Sequence, residues 1–295
     1  MPEWIDTNLI SVLNGLAIGC LLFLLAAGLS LVFGMMDVLN LAHGAVFLVG
    51  AYAAYALTDE GVTWLAFAGA VVAALAVGTV CGGVLAALSR PLAGRGHLDQ
   101  ALLTLGCALV LADLVVLAFG RDVHGVGAPP GLDGSAVILG QSYPVYRLAL
   151  IGVGLALALA IYAVVERTQL GSLMRATVAD RGMVEALGVD ARKVLLGVFA
   201  AGCALAAFAG ALGAQIYGAR PGLEDSILLL ALVVVVIGGL GSIKGALIGA
   251  LVIGQVESVG RALLPELAPF LLFGAMALVL LVRPRGLFGS PATAA

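Results

Sequence analysis

Apolar residues run along this chain in long blocks, parted by short polar or glycine-rich breaks. The blocks are 9–33, 41–57, 62–88, 100–119, 146–165, 194–217, 226–243, 245–260 and 266–282. About 20 apolar residues carry a helix across the hydrocarbon of a bilayer. Most blocks reach that length. The second and eighth are short, which predicts a broken or re-entrant helix at either and eight or nine crossings in all. The pattern predicts an all-α polytopic membrane protein forming one transmembrane domain over residues 1–295.

Composition strengthens this reading. The chain is 62% hydrophobic and 11% charged, against about 25% charged residues in a soluble domain. The opening "MPEWIDTN" is acidic, unlike the basic start of a secretory signal or an Arg-rich transit peptide, so the first block reads as a retained span. A net charge of −3 without a dense basic cluster gives no reason to expect nucleic acid. Cys20, Cys81, Cys107 and Cys203 all sit in apolar runs, form no CxxC pair, and read as small buried hydrophobes. His43, His97 and His124 lie far apart and show no metal-ligand spacing.

Charge sets an orientation. Lys and Arg in short loops mark the cytoplasmic side. Arg90 and Arg95 fall in 89–99, and Arg167, Arg175, Arg181, Arg192 and Lys193 in 166–193. Arg283 and Arg285 fall in the tail, while the opposite loops carry fewer, with Arg121 in 120–145, Arg220 in 218–225 and none in 58–61. The N-terminus is therefore expected outside and the C-terminus in the cytoplasm. The Gly/Pro-rich loop 120–145 then lies outside, either closing the surface or touching an external partner.

In lipid, helices associate through close backbone approach, so small residues mark interfaces. Gly15 and Gly19, Gly78 and Gly82, and the row Gly241, Gly245, Gly249 all have that spacing. An internal echo lays His43-Gly44-Ala45 on Lys244-Gly245-Ala246, as in transporters built from repeats. Asn40, His43 and Phe47 share a helical face. They either bond a neighbouring helix or line a polar path. Asp113 is embedded in "LTLGCALVLADLVVLAFG". An ionised carboxylate at mid-membrane costs roughly 2.5–3.5 kcal/mol, so it is expected to be paired, hydrated or protonated. Lys244 and Arg261 are its candidate partners. Thr104, nine residues earlier, shares its face only roughly.

The segment "ERTQLGSLMRATVADRGMVEALGVDARKVL" (166–195) is the most polar stretch. Its apolar positions predict two short amphipathic helices, interrupted at Gly182 and ended by a left-handed Gly188. Asp180, Arg181 and Glu185 mix both signs on the polar side, which suits a protein partner better than a lipid surface.

These stretches resemble the LivH-type permease subunits of branched-chain amino acid ABC transporters. "GLSLVFGMMDVLNLAHGAVFLVGAY" is similar to that family's N-terminal signature, and the 166–193 loop to its ATPase dock. "IGGLGSIKGALIGALVIGQVES" and "RPRGLFG" resemble its closing motifs. The resemblance implies a bacterial inner-membrane importer in which this chain and a LivM-like second permease form the path. Two ABC ATPase subunits would dock on the loop through Arg175, Asp180, Arg181, Glu185 and Gly188, and an extracytoplasmic binding protein would deliver substrate. ATP belongs to the partners, since the chain lacks a GxxxxGK[ST] pattern. Neither a cofactor nor a metal is expected in the chain itself. Asn40, His43, Thr104, Asp113 and Lys244 are the path candidates. Asp113 stands where the family commonly has Asn, and Lys244 where it often has Pro. These departures leave related small solutes, such as urea and short amides, beside branched-chain amino acids. They also leave a less favoured alternative, a self-sufficient secondary transporter using Asp113. An intramembrane enzyme would need a nucleophile–base pair or metal cluster, and the sequence offers neither.

Overall fold

The computed structural model describes residues 3–36, 39–59, 61–92, 96–138 and 140–289. Arg95 and the Asp37-Val38 part of the N-terminal signature lie outside the described residues. Eleven helices are formed among those described. They are α1 (Glu3–Met36), α2 (His43–Thr58), α3 (Trp64–Ser89), α4 (His97–Phe119), α5 (Val145–Arg167) and α6 (Gln169–Ala179). After these come α7 (Arg181–Ala186), α8 (Ala191–Tyr217), α9 (Leu223–Gly238), α10 (Ile243–Leu263) and α11 (Ala268–Val282).

Among the described residues, six helical stretches are long and apolar enough to cross a membrane: Asn8–Gly34, Trp64–Leu92, His97–Phe119, Val145–Arg167, Ala191–Tyr217 and Ile243–Leu263. Helix α2 is short, at 16 residues, as its block suggested. The eighth block is not: α10 has 21 residues, whereas α9 has 16 and α11 has 15. The boundary moves because the chain turns at Gly239 (φ 100°) and Gly241 (φ 78°). Ser242 then caps α10 by accepting from the Gly245 amide at 3.0 Å. Apolar Leu240 and Ile243 hide this turn in the sequence. Gly241 sits in the turn, so only Gly245 and Gly249 of the expected row belong to α10.

The chain is not purely helical. Strands β1 (Ser135–Ile138) and β2 (Gln141–Pro144) pair antiparallel, with Ala136 opposite Tyr143. A lone hairpin is marginal in water. This one belongs to a loop tied to the bundle, where His124 and Ala219 exchange backbone bonds of 2.9 and 2.8 Å. Gln215 also donates to the Gly127 carbonyl at 2.7 Å.

Helix α1 runs through the core, buried almost continuously from Cys20 to Leu29, and packs on α8 and α10. Its neighbours come close because glycines face backbone. A Cβ on Gly254 would land on the Gly15 carbonyl, and one on Gly28 on the Gly202 carbonyl. Helices α2 and α8 touch in the same way, Gly50 against the Ala207 backbone and Gly210 against the Phe47 carbonyl. Helices α3, α4, α5 and α11 instead turn apolar side chains outward, among them Val72, Leu117, Leu159 and Leu281. That is the arrangement a bundle bathed in lipid requires.

Candidate functional site

The turn that enters α2 gathers several sequence-nominated residues. Asn40 is not on the face of α2, as the spacing had implied, because the helix begins three residues later at His43. Its side chain folds back to accept from the Ala42 amide at 3.1 Å, an Asx turn that holds the chain just ahead of the helix. Its amide group donates to Cys203 Sγ on α8 at 3.6 Å. Thr104 of α4 accepts from the Leu41 amide at 3.1 Å, clamping the same turn. His43 is fully buried, and its Nε2 lies 3.0 Å from the Leu25 carbonyl of α1. A carbonyl only accepts, so Nε2 carries the proton and Nδ1 is left buried without a partner. Asn40, His43 and Thr104 thus join α1, α4 and α8 around one non-helical turn.

Asp113 lies elsewhere. It is exposed on the outward side of α4, whereas Thr104 is buried on the inward side. The two therefore do not share a face. Neither proposed partner reaches Asp113. Lys244 pairs with Glu166 at 3.9 Å and sits 5.2 Å from the Tyr162 ring centroid, and Arg261 pairs with Glu257 one turn back. The echo between His43-Gly44-Ala45 and Lys244-Gly245-Ala246 has a structural counterpart. Each triplet opens a helix, and each central glycine abuts α9, Gly44 at Glu224 and Gly245 at Gly238.

The 166–193 segment forms the two expected helices, but the break falls at Asp180, not Gly182. Asp180 is extended (φ −154°, ψ 95°) and caps α7 by accepting from the Met183 amide at 2.9 Å. Gly182 stays helical. Arg175, at the surface, reaches back to α5, donating to the Val165 carbonyl and lying 3.9 Å from Glu166, which holds α6 against the end of α5. Arg181 Nε bonds Glu185 Oε1 at 3.0 Å on an exposed face. Gly188 is left-handed (φ 84°) and its amide bonds the Glu185 carbonyl at 3.0 Å. Asp190 then caps α8 through the Arg192 amide at 3.0 Å.

The family described as the branched-chain amino acid transport system permease component matches residues 11–281. The chain belongs to this permease family. It is 32% identical to the high-affinity branched-chain amino acid transport system permease protein LivH of Salmonella typhimurium, over 94% of each chain. It is 30% identical to the permease protein BraD of Pseudomonas aeruginosa, over 99% of this chain and 98% of that one. A chain of PsaBC from Streptococcus pneumoniae, solved in complex with Fab, shares the fold with a TM-score of 0.51. That likeness covers 95% of this chain and 94% of the other at 14% identity. The protein is a multi-pass transport component and not an enzyme.

Within this permease bundle the structure adds two polar positions that sequence reasoning missed. The Tyr52 hydroxyl of α2 and Glu224 Oε2 of α9 are buried without hydrogen-bond partners among the described residues, and they lie within electrostatic reach of each other. Tyr55, one turn from Tyr52, stacks on His124 of the tied loop at 4.1 Å between centroids. Glu224 carried a signal that could have been read: two acids, Glu224 and Asp225, stand one residue ahead of the unbroken apolar run that begins at Ile227.

Proposed function

We propose that this chain is the permease subunit of an ATP-driven importer of branched-chain amino acids in a bacterial cytoplasmic membrane, forming the path with a second, LivM-like permease. Helices α1 to α5 and α8 to α11 make nine legs, three of them short, with the N-terminus outside and the C-terminus in the cytoplasm. Two ATPase subunits dock on α6 and α7, and an extracytoplasmic binding protein meets the opposite end. The observation that carries the reading is the helix pair α6–α7, which leaves the bundle between two spans and ends in a glycine-determined turn. A carrier that needs no ATPase has no use for such an appendage. The Asn40–Thr104 turn shapes the inner part of the path by fixing the helices around it. Tyr52 and Glu224 offer acceptors for the ammonium group of an amino acid.

Orientation is tested by one cysteine. Ser172 is exposed on α6. Ser172→Cys, in a background without the native cysteines, is expected to resist an impermeant maleimide in intact cells and to react in inverted vesicles. Ready labelling of intact cells overturns the orientation.

The secondary-transport alternative makes Asp113 an ion site. Asp113 is an exposed carboxylate that pairs with neither Lys244 nor Arg261 among the described residues. Asp113→Asn is expected to keep uptake of labelled leucine within about twofold, and uptake should still require the ATPase subunits and ATP. ATPase-independent uptake that disappears with Asp113→Asn overturns the importer reading.

A further inference from the structure

A cavity of about 560 Å³ opens where the end of α3 meets the start of α8 beneath α7. Ala86, Pro91, Leu195 and Leu196 form its apolar walls, and Arg90, Arg181 and Arg192 also line it. Ser89 also lines it, but its hydroxyl is taken by the Leu85 carbonyl at 2.8 Å. The charges do not cancel locally. Arg181 is paired with Glu185, and Asp190 is engaged by Lys193 at 3.8 Å and by the amides that open α8. No acidic partner is found for Arg90 or Arg192 among the described residues. Two arginines without an acidic partner among the described residues therefore line an apolar-walled cavity at the end of a membrane-length helix.

We propose that this cavity binds the phosphodiester headgroup of an anionic lipid from the cytoplasmic leaflet, with an acyl chain lying along Leu195 and Leu196. The inference rests on the orientation given above. Guanidinium forks match phosphate oxygens two at a time, and basic pockets between spans at the cytoplasmic face are suited to lipid headgroups. The volume lies within the roughly 300–1,000 Å³ of small-molecule sites. A protein side chain could neutralise the arginines, but it would leave the apolar walls unfilled. The lipid also touches the coupling segment, since Arg181 belongs to α7 and Arg192 to the first turn of α8. Its headgroup ties α3, α7 and α8 together.

The test is retention of dioleoyl-phosphatidylglycerol by the whole transporter complex. Native mass spectrometry would follow purification from vesicles of that lipid mixed with dioleoyl-phosphatidylcholine. The double variant Arg90→Gln, Arg192→Gln is expected to lose about thirtyfold in retention, roughly fivefold for each guanidinium removed. Arg90→Lys, Arg192→Lys should recover part of it, because charge remains while the fork is lost. Equal retention by the Gln variant and the parent overturns the proposal. So does binding of inorganic phosphate without preference for the anionic lipid, which would mark the cavity as a site for a free anion. Loss of the ATPase subunits together with the lipid would assign the arginines to the dock and also overturn it. Maleimide labelling at position 172 fails or succeeds independently, so a wrong orientation is told apart from a wrong ligand.

Discussion

Gly50→Val is expected to stop the bundle from assembling. Gly50 lies where α2 crosses α8, and a Cβ there would overlap the Ala207 backbone. The same crossing is tight from the other side, since a Cβ on Gly210 would fall on the Phe47 carbonyl. Relief therefore requires the two helices to separate, because no flexible side chain can move aside. Separation would strip contacts from Phe47, Ala51 and Ala54, all of them buried. It would also pull on the Asn40–Cys203 and Thr104–Leu41 bonds next to that crossing. Overpacking costs about 1–3 kcal/mol where a core can yield, and here backbone meets backbone. In lipid, no hydrophobic force between helices would offset the loss of close packing. Gly106→Val is the control, because Gly106 sits on the exposed side of α4 with nothing within 4 Å of a new Cβ. The readout is the monodisperse peak of a fluorescent fusion on size exclusion. It should vanish for Gly50→Val and persist for Gly106→Val. Equal peaks from both would mean that the α2–α8 crossing is not closed in the membrane.

That contrast shows what the sequence can and cannot carry. The long spans were legible because a bilayer demands unbroken apolar length, and six stretches meet that demand. Glycine spacing was legible as a pattern. Which glycine meets which backbone was not, since it depends on crossings between distant segments such as α2 and α8. The α9–α10 boundary was misread because Leu240 and Ile243 keep the run apolar while the backbone of Gly239 and Gly241 turns it. The partners of Asp113 and its face relative to Thr104 were not legible, because apolar neighbours along the chain say nothing about which side of α4 a residue faces. Asn40 was picked out as a costly polar residue, and that logic held for its burial. Its helical face was wrong, because Asn40 closes a local turn onto the Ala42 amide and the helix begins only at His43. The Glu166 cluster with Arg175 and Lys244 joins residues up to 78 positions apart, beyond any local pattern. Helices α6 and α7 were legible because amphipathic periodicity and capping residues act locally. Only the break moved, from Gly182 to Asp180, since a capping Asp ends one helix and starts the next.

Gly188→Val is expected to uncouple transport while leaving the membrane bundle intact. Helix α7 ends in a left-handed turn, with the Gly188 amide on the Glu185 carbonyl at 3.0 Å and the Val189 amide on the Val184 carbonyl at 3.2 Å. This is the pairing that a left-handed residue after a helix permits. A Cβ at Gly188 meets nothing within 4 Å, so the penalty does not come from crowding. It comes from the backbone, because φ of 84° is a genuine outlier for a β-branched residue and costs about 1–3 kcal/mol. The strain can be relieved locally by reorienting α7, since α8 is separately fixed by the Asp190 cap. Reorientation moves the Arg181–Glu185 face that the ATPases are proposed to contact. A shift of that size changes an equilibrium by roughly 5- to 150-fold, and ATP-driven leucine uptake is expected to fall within that range. Gly188→Asn should retain most uptake, because Asn tolerates the left-handed region. Size exclusion of either variant should match the parent. Full uptake with Gly188→Val would remove the turn from the coupling mechanism and leave α7 an ordinary connection, whereas loss of the size-exclusion peak would show that α7 supports the bundle itself.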